Sequence, residues 1–159
     1  MTKVVDLLII SPGNNRVIYQ DLAKEYSAIE PPVWAGLLAK FSRNQGYETF
    51  LIDQEAQGLS SDQIFQQGLD LNPKLIVIIV YGQQPSASTQ NMTMAEEICS
   101  KFKSQASNMK TLMIGGHVSA LPQKTLEESD TDFVCQGEGV HTLQALLKMD
   151  DLESSSQLD

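Results

Sequence analysis

Basic residues are scarce in this chain. Eleven Lys and Arg stand against twenty Asp and Glu in 159 residues, a formal net charge of −9 at pH 7. Charge of that sign repels phosphate backbones and anionic lipid headgroups, which argues against nucleic acid and membrane-surface partners. No apolar run approaches the roughly 20 residues that span a bilayer. The opening stretch MTKVVDLLIISPGNN holds one Lys and a short apolar run broken by Pro12 and Gly13, so it reads as a first strand rather than a targeting segment. Cysteine is limited to Cys99 and Cys135, with no CxxC spacing, so neither a disulfide scaffold nor a zinc site is indicated and a reducing cytoplasm is the default location. Histidine is equally rare: His117 and His141 cannot assemble a Cys/His metal set, and no metal ligand is assigned.

What the chain does contain is a regular alternation. Apolar runs of strand length, Val4 to Ile10, Tyr47 to Ile52, Leu75 to Tyr81, Thr111 to Ile114 and Asp132 to Cys135, alternate with amphipathic segments of helix length. Most of the strands are too continuously apolar to have a wet face, so a parallel sheet covered by helices on both sides is expected. Pro31-Pro32 open a first helix that Gly46 closes. A second starts near Ser61, whose side chain can cap it, and ends before Pro73. A third runs from about Gln90 to Ser107 with Met94, Ile98 and Phe102 facing the sheet. A short helix near Gln123 to Glu128 and a last one near Val140 to Met149 follow. The length suits one domain, 1–149, and the segment 150–159 reads as a loose acidic tail or truncated linker.

Crossovers of this length imply an α/β, doubly wound five-stranded parallel sheet of flavodoxin-like or Rossmann-like type, with strand order 2-1-3-4-5. Ligands of such sheets sit beyond the carboxyl ends of the strands. The four loops expected there read SPGNNR from Ser11, GQQPSASTQ from Gly82, GGHVSALP from Gly115 and QGEG from Gln136. They are built of glycine, small hydroxyls and amides, which let a ligand touch backbone and offer neutral hydrogen-bonding groups. A receiver domain would need clustered carboxylates where Ser11 stands and a phosphorylatable Asp where Gly82 stands, so phosphorelay is disfavoured. A dinucleotide site would need GxGxxG after the first strand, and Pro12-Gly13-Asn14 is no such motif. A flavin mononucleotide or other nucleotide site, or a ligand-free interaction module with ordinary turns, remains the competing reading.

EPPVWAGLLAKFSRNQGYETFLID, YGQQPSASTQ and GGHVSALPQKTLEESDTDFVCQGEG together resemble the amino-terminal cobalamin-binding domain of radical S-adenosylmethionine enzymes, over nearly all of Val4 to Leu147. The last block carries most of the likeness, with its double glycine, His, ALP turn, acidic short helix and GEG in the family's order and spacing. The resemblance implies cobalamin as the bound cofactor. It places Ser86, Ser88, Thr89, Gly115 and Gly116 beside the nucleotide tail, and Gly137, Glu138 and Gly139 by its nucleotide end. Ser11, Pro12, Gly82, His117, Ala120 and Pro122 complete the expected cofactor rim. The resemblance also implies a radical S-adenosylmethionine domain, in cis or in trans, that carries a 4Fe-4S cluster and S-adenosylmethionine outside this chain and performs methyl transfer.

Two departures bear on this expectation. SPGNNR lacks the His of the Asp-x-His-x-x-Gly motif by which the methionine-synthase-like subgroup ligates cobalt, an absence that fits the resemblance, since the radical enzymes generally lack that ligand too. Val140 stands where the family often has an acid. The chain has no CxxxCxxC, so no catalytic residue is assigned to it. His117 is read as a structural or tail-contacting group rather than a cobalt ligand, and His141 as a surface or capping group. Glu138, between two glycines, could hold an amide or ribose or cap the following helix. Trp34, Met92, Met94 and Met109 are read as core more readily than as cofactor contacts, and both cysteines as buried inert thiols.

Overall fold

Strands filled with Leu, Ile and Val need cover on both faces, and the computed structural model supplies it. It describes residues 5–13, 31–82 and 85–152, with backbone alone at 85–87. Strands β1 (Leu7–Ser11), β2 (Thr49–Asp53), β3 (Leu75–Val80), β4 (Lys110–Gly115) and β5 (Phe133–Cys135) form one parallel sheet in the order β2-β1-β3-β4-β5. That is the expected order. Ile9 stands beside Leu51 on one side and Val77 on the other, and Val77 beside Leu112.

Helices α1 (Val33–Asn44), α2 (Gln54–Gln57), α3 (Ser61–Leu71), α4 (Pro85–Gln105), α5 (Gly116–Ala120), α6 (Pro122–Glu128) and α7 (Val140–Lys148) connect and flank the strands. Successive strand residues point to opposite faces, so one apolar run feeds two cores. Leu8, Ile10, Ile76 and Ile78 pack with Ile64 of α3 and with Ile98 and Phe102 of α4. Leu7, Ile9, Leu75 and Val77 pack with Ala35 and Leu38 of α1 and Leu143 and Leu147 of α7. Phe102 meets Phe65 edge-on, with ring centroids 5.1 Å apart, and a Cβ on Gly68 would lie 2.5 Å from the Phe102 ring. Gly68 thus admits the ring that joins α3 to α4.

Element ends depart from expectation where local chemistry competes. The cap of α3 is Ser60, which accepts from the Gln63 amide while the Gln63 side chain accepts from Ser60 N, a complete capping box. Ser61, expected as the cap, instead donates its hydroxyl to Glu97 of α4. Helix α4 begins five residues before the expected Gln90, at Pro85, a residue that a first turn accommodates because its missing N–H is not needed there. Two short helices, α2 and α5, occupy segments expected as loops. Leu152, placed in the loose tail by its sequence, packs into the second core at 7% exposure, while residues 153–159 lie outside the described part.

Candidate functional site at the carboxyl edge of the sheet

The described parts of the four loops lie at the carboxyl ends of β1, β3, β4 and β5, and hydrogen bonds tie them to neighbouring elements. Ser11 ends β1 beside Asp53 of β2, half-buried, and Pro12 after it is buried. Gly13 donates its amide to Gln54 Oε1 at 3.0 Å, and Gln54 Nε2 donates to the Leu59 carbonyl at 3.1 Å. A Cβ on Gly13 would lie 2.8 Å from the Glu55 Cβ, so glycine is what lets β1 exit against α2. A cavity of about 310 Å³ opens there, lined in part by Gly13, Gln54, Ser60 and Glu97. Residues 14–16 of the first loop lie outside the described residues.

At the centre of the edge, Val80 of β3 pairs with Gly115 of β4 so closely that a Cβ on Gly115 would fall 2.1 Å from the Val80 carbonyl oxygen. Ser88, buried in α4, holds this junction: its hydroxyl donates to the Val80 carbonyl and accepts from the His117 amide at 3.0 Å. Thr89 Oγ1 and His117 Nδ1 are 3.1 Å apart, with Thr89 exposed and His117 half-buried. Through these contacts His117 ties the start of α5 to α4. Gly82 is half-buried after β3, and Ser86 is described only as backbone in the first turn of α4. Gly116 differs from its neighbour, since a Cβ there would meet nothing nearer than Ser88 Oγ at 3.6 Å.

The turn after β5 completes the edge. Gln136, Gly137 and Glu138 are exposed, whereas Gly139 is buried with φ 87°, and a Cβ on it would lie 2.6 Å from Ile114 Cδ1. Gly137 has φ 103° and nothing within 4 Å of a Cβ. Its amide donates to Ser119 Oγ at 2.9 Å and its carbonyl accepts from the Tyr81 hydroxyl at 3.1 Å. Glu138 does not cap α7, whose N-cap is Gly139 with no side-chain hydrogen bond. Ala120 is exposed and Pro122 half-buried at the junction of α5 and α6. His141 is exposed on α7.

Three contributors were not singled out from the sequence. Ser119 and Tyr81 anchor Gly137, and Gln54 anchors Gly13, through contacts between residues 18, 56 and 41 positions apart, a separation no local pattern records. Met92 and Met109 are core as expected, at 6% exposure each, but Trp34 is 38% exposed and stacks on Tyr81, with centroids 4.9 Å apart and 26° between planes. Burial, followed by the charges of Cys135 and Glu138, holds the Tyr81 phenol above its ordinary value. The edge thus combines neutral donors and acceptors with stretches of open backbone. Among the described residues no group of three or more His, Cys, Asp or Glu could hold a metal ion, and no helix is long and apolar enough to cross a membrane.

Sheet order, two-sided cover and a glycine-lined carboxyl edge define a flavodoxin-like α/β domain. The fold is shared with the receiver domain of NtrX from Brucella abortus, at 13% identity and a TM-score of 0.55, over 91% of this chain and 99% of that one. At that identity the likeness is one of fold. The chain belongs to the B12 binding domain family, whose pattern matches residues 19–147. No curated protein matches it.

Proposed function

We propose that the carboxyl edge of the sheet binds cobalamin and that the domain positions the corrin for a radical S-adenosylmethionine domain outside residues 1–159, in methyl transfer. Family membership supports the ligand class. The observation that carries the placement is the contrast between paired glycines. Gly115 and Gly139 are required by packing against Val80 and Ile114, whereas a Cβ on Gly116 would make only ordinary contact with Ser88 at 3.6 Å and one on Gly137, whose φ of 103° itself calls for glycine, would meet nothing within 4 Å. Glycine at position 116, which neither close packing nor a positive φ requires, is what a bulky ligand in backbone contact would call for. Corrin is fringed with amides, and neutral groups of this edge such as the exposed Thr89 and the half-buried Ser11 suit such a fringe.

In this reading Ser88 is a positioning residue, since its hydroxyl is engaged with Val80 and His117 and sets the path of the Gly115-Gly116 backbone. His117 is held through its amide by Ser88 and through Nδ1 by Thr89, which fixes the ring within the loop after β4. Bound cobalamin supplies the organometallic chemistry, and the chain supplies binding and orientation. The 4Fe-4S cluster and S-adenosylmethionine belong to the second domain.

The test is purification with added hydroxocobalamin, followed by the visible spectrum. Retained corrin bands without an imidazole-bound signature are the expected result. Yellow flavin bands, or no retained chromophore, would favour a nucleotide-binding or ligand-free module. Gly116→Phe is expected to abolish retention while leaving the far-ultraviolet circular dichroism intact, and full retention by that variant would remove the site from this edge.

A further inference from the structure

Trp34 combines two properties that a core residue does not. It lies in the first turn of α1 with 38% of its surface exposed, and its ring is fixed by stacking on Tyr81 at 4.9 Å. Tyr81 in turn packs on the second core and is tethered through its hydroxyl to the Gly137 carbonyl at 3.1 Å. The pair therefore joins α1, the end of β3 and the turn between β5 and α7, three of the segments that make the carboxyl edge. Beside it, Gly137 leaves unfilled space. A ring already held on one side loses little freedom when a flat ligand covers the other, and aromatic side chains accept heteroaromatic bases through their π-faces.

Building on the cobalamin reading, we propose that the Trp34–Tyr81 pair is the platform on which the heteroaromatic base of the cofactor's nucleotide tail stacks. It gives this domain its preference for complete cobalamin over a corrinoid without that tail. The Tyr81 hydroxyl keeps the platform level with the Gly137 turn, so the base meets ring and open backbone together.

Equilibrium dialysis of the full chain against hydroxocobalamin and against cobinamide, which lacks the nucleotide, tests the assignment. Wild type binds cobalamin more tightly than cobinamide. Trp34→Leu lowers that preference by about ten- to one-hundredfold, the range over which a stacked base commonly responds to loss of its aromatic partner. Trp34→Phe retains most of it. Tyr81→Leu removes the other ring from a different element and produces the same loss, so a folding defect in one variant leaves the second to decide. Preference unchanged in both leucine variants, or equal weakening of both corrinoids, overturns the platform while leaving cobalamin binding standing. Wild type that retains neither corrinoid overturns the cobalamin reading and the platform with it.

Discussion

Gly115 and Gly116 are neighbours in sequence and opposites in the fold. A Cβ on Gly115 would press on the Val80 carbonyl at 2.1 Å, while one on Gly116 would make ordinary contact with Ser88 at 3.6 Å. Gly115→Ala is expected to cost about 1–3 kcal/mol, the range for overpacking, as a lowered urea midpoint. Gly116→Ala should leave that midpoint within about 0.5 kcal/mol of wild type. Cys99 offers a pH test at the same scale. Burial pushes its thiol up from 9.0 to about 12, so the folded protein keeps a proton that the unfolded chain releases. The stability held by the neutral thiol is complete below pH 9.0 and declines towards pH 12. In that window wild type should lose about 1.4 kcal/mol per pH unit more than Cys99→Ala in paired urea titrations. Residue identities at the edge were legible in the sequence, because glycines and small hydroxyls cluster after apolar runs. Their division into packing glycines and open ones was not, since Val80 and Ile114 reach Gly115 and Gly139 only across strands.

Among elements, α3 shows how a helix start is chosen between adjacent candidates. Ser60 and Ser61 both have hydroxyls, yet Ser60 has Gln63 three residues on, which completes the reciprocal box and frees Ser61 to bond Glu97. Ser60→Ala should therefore lower stability by about 1 kcal/mol, measured as a urea midpoint shift. Helix α4 was readable in its second half from Ile98 and Phe102, and less so at its start, where Ser, Thr and Gln give no apolar period to follow. Helix α5 was invisible for a related reason. Five residues, Gly116 to Ala120, are too few for a periodic signal, and their turn is held in part by the Ser88 contact to His117 from another helix.

For the whole molecule, binding at the carboxyl edge must be felt by the fold. If cobalamin binds the native state alone, hydroxocobalamin at one hundred times its dissociation constant should stabilise the domain by about 2.7 kcal/mol, read as a rise in the thermal midpoint. The opposite edge is organised differently. Asp132 accepts from Thr111 N at 2.9 Å and Thr111 Oγ1 at 3.1 Å and pairs with Lys103 of α4 at 2.8 Å, locking β4, the segment before β5 and α4 together. The amino edge is thus pinned by a charged cluster, whereas the carboxyl edge, where the ligand is proposed to sit, is held by neutral groups such as Ser88, Ser119 and Gln54.

Periodicity was enough to indicate a covered parallel sheet, because runs such as LIVIIV have no polar face to give to water, and crossovers of helix length narrowed its closure to a few orders, of which the expected β2-β1-β3-β4-β5 is the one formed. Only the folded chain decided which of the clustered small residues face inward and which outward. It also brought Trp34, Tyr81 and Gly137 together from three distant segments. The reason is physical: burial follows from local apolar pattern, whereas an open edge is the remainder left after every strand and helix has packed.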